Sequence, residues 1–445
     1  MMSRMFIVAS KSAENQLLRR CIASFTSKSN VMQTQCLKCR KPIQVQSVSK
    51  YTTLAAKCQN LRLTGNIRQN SKKLFGVALN TLRQTTTSAG AVEIPARAQK
   101  IVGTWLLGCA GMCFGAVVLG GVTRLTESGL SMVDWNLIKG MKPPLTQEEW
   151  AAEFLKYQEF PEFKYSESHN EMTLSQFKWI WFMEYYHRMW GRTIGLVFAL
   201  PAIYFLRKGW ISKAMKPRLA VYGTLLLCQG LLGWYMVKSG LEEKTSQSDN
   251  IRVSQYRLAS HLGSAFLLYV LFLWGGMSHV LKPNQLPNTK QIRILRGLSH
   301  PAMGLVFLTA VSGAFVAGLD AGLVYNSWPK MADKWIPDDI AAFTPKWKNV
   351  FENPTTVQFN HRHLAEFTVF SLLCLAGYSL RAPLPPRARK AGIALGAMAL
   401  AQAGLGVWTL LSYVHTHVAA THQSGSLVLL TLAAWFAHEL RRFPK

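Results

Sequence analysis

From residue 100 onward, long apolar segments recur at short intervals, and this recurrence limits the chain to one class of fold. Eight segments come near the roughly 20 residues that a helix needs to cross a bilayer. They are 101–122, 179–206, 219–237, 258–280, 300–318, 357–380, 391–412 and 417–438. In hydrocarbon, every backbone N–H and C=O must be satisfied within the segment, so apolar runs of this length are read as helices. The expectation is an all-α polytopic membrane protein. Composition agrees, with 49% hydrophobic and only 16% charged residues in a chain of 445.

The connections fix a relative orientation. "LRKGWISKAMKPR" (206–218), "LKPNQLPNTKQIRILR" (281–296) and "RAPLPPRARK" (381–390) are basic and free of acids. "LTQEEWAAEFLKYQEFPEF" (145–163), "GLEEKTSQSDN" (240–250) and "MADKWIPDDI" (331–340) are mixed or acidic. The positive-inside rule puts both termini with the three basic loops on one side. The net charge of +28 has a second source: residues 1–100 hold 17 Lys/Arg against Glu14 and Glu93. That segment alternates apolar and basic residues and is rich in Ser, Thr, Gln and Asn. It is the composition of a mitochondrial transit peptide and a basic arm, here 1–99. The basic side is then the matrix, in a multi-pass protein of the inner membrane. A nucleic-acid-binding arm is set aside, because the chain beyond residue 100 is membrane protein. Cys21, Cys36, Cys39 and Cys58 lie in the leader, where "CLKC" has no second pair to make a zinc site. Cys109, Cys113, Cys228 and Cys374 read as small buried residues of the spans. The first outer loop contains "EEWAAEFLKYQEF", whose helical period suits a helix on the membrane surface or in solvent.

The spans repeat. "YYHRMWGR" (185–192) answers to "FNHRHLAE" (359–366), "QGLLG" (229–233) to "QAGLG" (402–406), and "ASHLGS" (259–264) to "ATHQSG" (420–425). His187 precedes Gln229 by 42 residues and His361 precedes Gln402 by 41. Four spans per unit is an even number, so the second unit starts on the same side as the first. The architecture expected is two pseudo-twofold-related four-helix bundles, residues 100–281 and 282–445, about an axis along the membrane normal.

Each bundle receives one histidine pair, His187 with His261 and His361 with His422. By the span limits, all four lie in the first turns of even-numbered spans, toward the outer leaflet. A histidine inside a span is costly unless paired or functional. Two imidazoles on facing helices suit the axial positions of a low-spin haem. Zinc, which takes four N or S ligands or three and a water, suits them less. His363 faces away from His361. His279, His300, His438, His415, His417 and His169 read as solvated or interfacial, with His415 and His417 nearest a haem edge. Arg188 and Arg362 follow equivalent histidines, which suits contacts to haem propionates; snorkelling to the interface is the rival reading. Glu184 shares a helix face with His187, and its counterpart is Gln358. The asymmetry suits a site that handles protons or a cation. A carboxylate merely paired with Arg188 or Arg192 fits equally.

These motifs resemble the haem A synthase family in its mitochondrial form. The resemblance covers about 100–440. It rests on "GGVTRLTESGLSMVDWNLIKG" (120–140), "EYYHRMWGR", "RLASHLGS", "FNHRHLAE" and "ATHQSGS". It implies two four-helix bundles and oxidation of the C8 methyl of haem O to a formyl group, by successive hydroxylation, giving haem A for cytochrome c oxidase. It implies that His187 and His261 hold the substrate haem and that His361 and His422 hold a haem b cofactor. It implies a catalytic role for Glu184. Some bacterial members carry cysteine pairs in outer loops; this chain has none there, so thiol-based electron handling does not carry over. The implied partners are haem O, a redox partner, membrane lipid and the farnesyltransferase that forms haem O, with homo-oligomerisation open and no nucleic acid. The rival classes are a di-haem b electron-transfer cytochrome and a haem chaperone or transporter.

Overall fold

The computed structural model describes residues 94–135, 142–165, 171–241 and 253–442. The expected leader lies outside these apart from its last residues, as do "CLKC" and His169. Eight long helices form the body. They are α1 (Ala96–Leu125), α2 (Leu174–Arg207), α3 (Met215–Gly240), α4 (Gln255–Val280), α5 (Lys290–Gly318), α6 (Pro354–Leu380), α7 (Pro386–Leu411) and α8 (Thr416–Glu439). The first helix thus begins inside the segment expected to be an arm. Seven of them, α1 to α7, are long and apolar enough to cross a membrane. α8 carries Thr421, His422, Gln423, Ser424 and Ser426 in one run, which dilutes its apolar character. It is packed against α7, α5 and α1, so His422, Gln423, Ser424 and Ser426 are partly covered by protein, while Thr421 is exposed and bonds back to the His417 carbonyl at 2.7 Å.

Local chemistry sets the helix ends. Thr173 and Gln176 form a capping box at the start of α2, and Asn353 caps α6 ahead of Pro354. The large apolar side chains left exposed, among them Leu196, Leu200, Phe367 and Leu400, suit contact with acyl chains. Cys374 is exposed too, contrary to the expectation of a buried residue. It faces outward from α6, where a small apolar thiol suits lipid as well as a core.

The repeat is visible in the packing. In the first half α1 lies against α4 and α2; in the second α5 lies against α8 and α6. Between the halves α4 meets α5 and α8 meets α1, and the repeat exchanges these two contacts. Gln423 Nε2 donates to the Val117 carbonyl at 2.9 Å across this seam, and Tyr269 and Thr431 share a hydrogen bond of 2.6 Å. The halves are not identical; in particular α2 and α3 touch far less than α6 and α7.

The basic loops gather at one end. Glu439, fully buried, accepts from Arg387 Nε at 2.7 Å and Trp435 Nε1 at 3.0 Å, and Arg441 holds the Leu281 carbonyl at 2.7 Å. His438 belongs to this network rather than to solvent. It is fully buried, 3.1 Å from Ser278 Oγ and edge-on to Trp274.

At the opposite end the helix Gln147–Gln158, with its own Thr146–Glu149 capping box, packs Trp150 and Tyr157 on Phe177 and Trp181 of α2. Its apolar face is therefore covered by α2, neither free in solvent nor simply laid on lipid. This support lets α2 start at Leu174, earlier than expected. His187 consequently sits further into its helix than the span limits suggested.

Candidate functional site

Each of the four histidines lies over a glycine of a neighbouring helix. The position a Cβ would take on Gly120 of α1 is 2.8 Å from His187 Cε1, and on Gly313 of α5 it is 3.2 Å from His361 Cε1. On Gly233 of α3 it is 3.6 Å from His261 Cε1, and on Gly406 of α7 it is 3.0 Å from His422 Cε1. A side chain at Gly120 would displace the ring, one at Gly406 or Gly313 would crowd it by a few tenths of an ångström, and Gly233 leaves ordinary contact distance. The four seats obey the repeat, and all four rings line one cavity of about 2360 Å³.

Three of the four Nδ1 atoms have a polar partner of their own. Gln402 Nε2 lies 3.1 Å from His422 Nδ1. The Gln229 amide nitrogen lies 3.0 Å from His261 Nδ1 when the amide is turned to satisfy Ser264 and Ala265. Ser312 Oγ lies 2.7 Å from His361 Nδ1. His187 Nδ1 is buried and has no partner among the described residues. "QGLLG" and "QAGLG" were legible as repeat marks. Their roles, a glutamine beside one histidine nitrogen and a glycine under the ring one turn later, were not.

Glu184 is buried, and its Oε2 accepts from Met132 N at 2.7 Å and from Ser131 Oγ at 2.9 Å. Its Oε1 is paired with Arg188. Arg188 also holds the Met132 carbonyl at 2.7 Å and the Asp134 carbonyl at 2.9 Å, and its guanidinium stacks 4.5 Å from the Trp135 ring. The segment just beyond "TESGL" is thus strapped over the site by one carboxylate and one guanidinium. The second half repeats the strap with a neutral amide. Arg362 holds the carbonyls of Tyr325 at 2.7 Å and Ser327 at 2.9 Å, and Gln358 donates to Tyr325 O at 3.1 Å. Neither arginine snorkels. Both line the cavity, and the buried Nε of each has no partner among the described residues.

Glu184 therefore pairs with Arg188, and it also lines the cavity with His187. Arg192 instead reaches the Met189 sulfur. A further acid sits nearby: Glu162, on the short helix Pro161–Tyr165, is buried, lines the cavity and accepts from Tyr157 O–H at 3.1 Å. Burial pushes its carboxyl up to about 8, with the negative charges of Glu184 and Glu127 adding to the effect. Nothing in the sequence pattern singled it out. His363 points away as expected, paired with Glu366 and set against Phe359. His415 and His417 are exposed and do not line the cavity.

The cavity is not equal in the two halves. On α2 it is lined by Gly191, Gly195 and Ala199; the counterparts on α6 are Ala365, Val369 and Leu373. Small residues in the first half leave a wider passage between α2 and α3.

Comparison with known proteins fits this geometry. The profile of the COX15-CtaA family, described as cytochrome oxidase assembly protein, matches residues 103–434. The human Heme A synthase COX15 is 60% identical over 357 residues, covering 80% of this chain and 87% of the human one. The Saccharomyces cerevisiae Heme A synthase COX15 is 41% identical over 383 residues, covering 80% and 78%. The Heme A synthase of Rhodospirillum centenum is 44% identical over 353 residues, covering 79% and 92%. With the family profile spanning nearly all of the helical body, this chain belongs to the COX15-CtaA family of cytochrome oxidase assembly proteins.

Proposed function

We propose that the protein is a haem A synthase that oxidises the C8 methyl group of haem O to a formyl group by successive hydroxylation. The observation that carries this reading is a pair of repeat-related histidine sites on one cavity, with a carboxylate, Glu184, in the first where the second has an amide, Gln358. In this reading His187 and His261 hold haem O, and His361 and His422 hold haem b. The donor set fits: each pair consists of imidazoles on facing helices, and the partner on His361 Nδ1 leaves its other nitrogen free for iron. The unpartnered Nε–H groups of Arg188 and Arg362 suit the carboxylates of haem propionates. The wider α2–α3 passage suits haem O, which is bulkier than haem b by its isoprenoid tail. Bound haem b supplies one-electron redox chemistry beside the substrate. Glu184, held by Ser131, Met132 and Arg188, keeps negative charge at the substrate site. There it takes up a proton or stabilises positive charge developing at the methyl carbon.

The relatives and the apolar helices agree with a multi-pass mitochondrial membrane protein. We place it in the inner membrane with the basic loops in the matrix and the haem sites toward the intermembrane space, on the charge of the loops. A farnesyltransferase would supply haem O, and a separate redox partner would exchange electrons.

Reconstitution with haem O, followed by chromatography of the extracted pigment, tests the activity. The wild type is expected to yield haem A and Glu184→Gln to leave haem O unconverted. Full conversion by that variant would remove the catalytic role of Glu184. Two haem b groups with no haem O or A would point to an electron carrier instead.

A further inference from the structure

The halves differ at a second place, one helix away from Glu184. Gly120 and Gly313 are equivalent seats, which sets "VLGG" (118–121) against "VSGA" (311–314). Ser312 therefore has Leu119 as its counterpart. Ser312 Oγ lies 2.7 Å from the Thr309 carbonyl and 2.7 Å from His361 Nδ1. A carbonyl can only accept, and a hydroxyl has one hydrogen to give. Ser312 therefore donates to Thr309 and accepts from His361, which puts the proton on Nδ1 and leaves Nε2 bare toward the cavity. The chain Nδ1–H to Oγ–H to carbonyl fixes both the tautomer and the rotation of the ring. Leu119 offers no such group, and His187 Nδ1 is the one of the four histidines' Nδ1 atoms left buried without a partner among the described residues. The opposite ligands do not differ in this way, because Gln229 and Gln402 occupy equivalent positions.

We infer that Ser312 is a positioning residue that makes the second-half haem site permanent, and that Leu119 in its place makes the first-half site exchangeable. A partner on the far nitrogen orients a ligating imidazole and raises its basicity, and loss of such a partner typically weakens metal binding about 10–100-fold. A resident cofactor benefits from that anchor. A substrate that must leave as product does not. This rests on the assignment of His361 to haem b and His187 to the substrate.

The test uses full-length protein in nanodiscs and an excess of apomyoglobin as haem acceptor. Ser312→Ala is expected to speed loss of haem b about tenfold or more and to raise its midpoint potential, and Ser312→Thr to restore both. Leu119→Ser, loaded with haem A, is expected to slow release of that haem by a similar factor, whereas Leu119→Ala does not. Haem b loss and potential unchanged in Ser312→Ala, or equal release from the two Leu119 variants, would overturn the inference. His361→Ala separates the two levels. If it retains low-spin haem b, the ligand assignment itself is wrong; if it loses haem b while Ser312→Ala does not, only the anchor is wrong.

Discussion

The glycine seats allow a graded prediction in which the structure sets the order. Alanine at Gly120 would place its methyl 2.8 Å from His187 Cε1, at Gly406 3.0 Å from His422, at Gly313 3.2 Å from His361 and at Gly233 3.6 Å from His261. Ordinary contact begins at 3.4 Å, so the rings must retreat by about 0.6, about 0.4 and about 0.2 Å, and not at all at Gly233. Metal–ligand distances hold to within about 0.2 Å. Gly120→Ala is therefore expected to abolish stable haem O binding and Gly406→Ala to strip most haem b. Gly313→Ala should loosen haem b mildly, and Gly233→Ala should bind haem O within about twofold of wild type. Alanine is the better helix former by about 1 kcal/mol in water, so unfolding of the helices is not the expected cause. Haem content per chain, the low-spin spectrum and a haem O titration measure the series. Gly120→Ala binding haem O normally, or Gly233→Ala failing as completely as Gly120→Ala, would refute the seat geometry.

Glu184→Gln should destabilise the fold as well as stop turnover. The amide NH₂ would face donors on whichever side it turned, the Met132 N–H and Ser131 O–H or the Arg188 guanidinium, and the buried Arg188 charge would lose its partner, about 3–5 kcal/mol; an unchanged melting temperature would sink the strap. Arg362→Met should free the Tyr325 and Ser327 carbonyls and speed hydrogen exchange in the loop around them, with the loop around Met132 unaffected. Glu162 is neutral in the fold and ionised when unfolded between the ordinary carboxylate range and about pH 8. The unfolded state then binds fewer protons, so stability should fall as pH rises through that window and level off above it. Glu162→Gln should flatten the pH dependence of the melting temperature.

The spans were legible because hydrocarbon forces one kind of signal, about 20 apolar residues, whatever surrounds them. Their ends were less so. α2 starts at Leu174 because the helix Gln147–Gln158 covers its aromatic first turns, and that cover is a long-range contact. α8 shows the converse: its polar run 421–426 continues the helix where α5, α7 and α1 pack against it. His438 and Cys374 depart from expectation for the same reason, since the side of the bundle a residue faces is set by packing.

The sequence by itself determined the four histidines, their pairing by repeat, and the departure of Glu184 from Gln358. Each is a matter of residue type at a recurring position, and recurrence survives in one dimension. Only the tertiary structure decided what surrounds them. The glycine under each ring, Ser312 behind His361, the strap from Ser131 and Met132 to Glu184, and the buried Glu162 all join residues of different helices or loops. Their distances follow from how helices cross, which spacing along the chain does not encode.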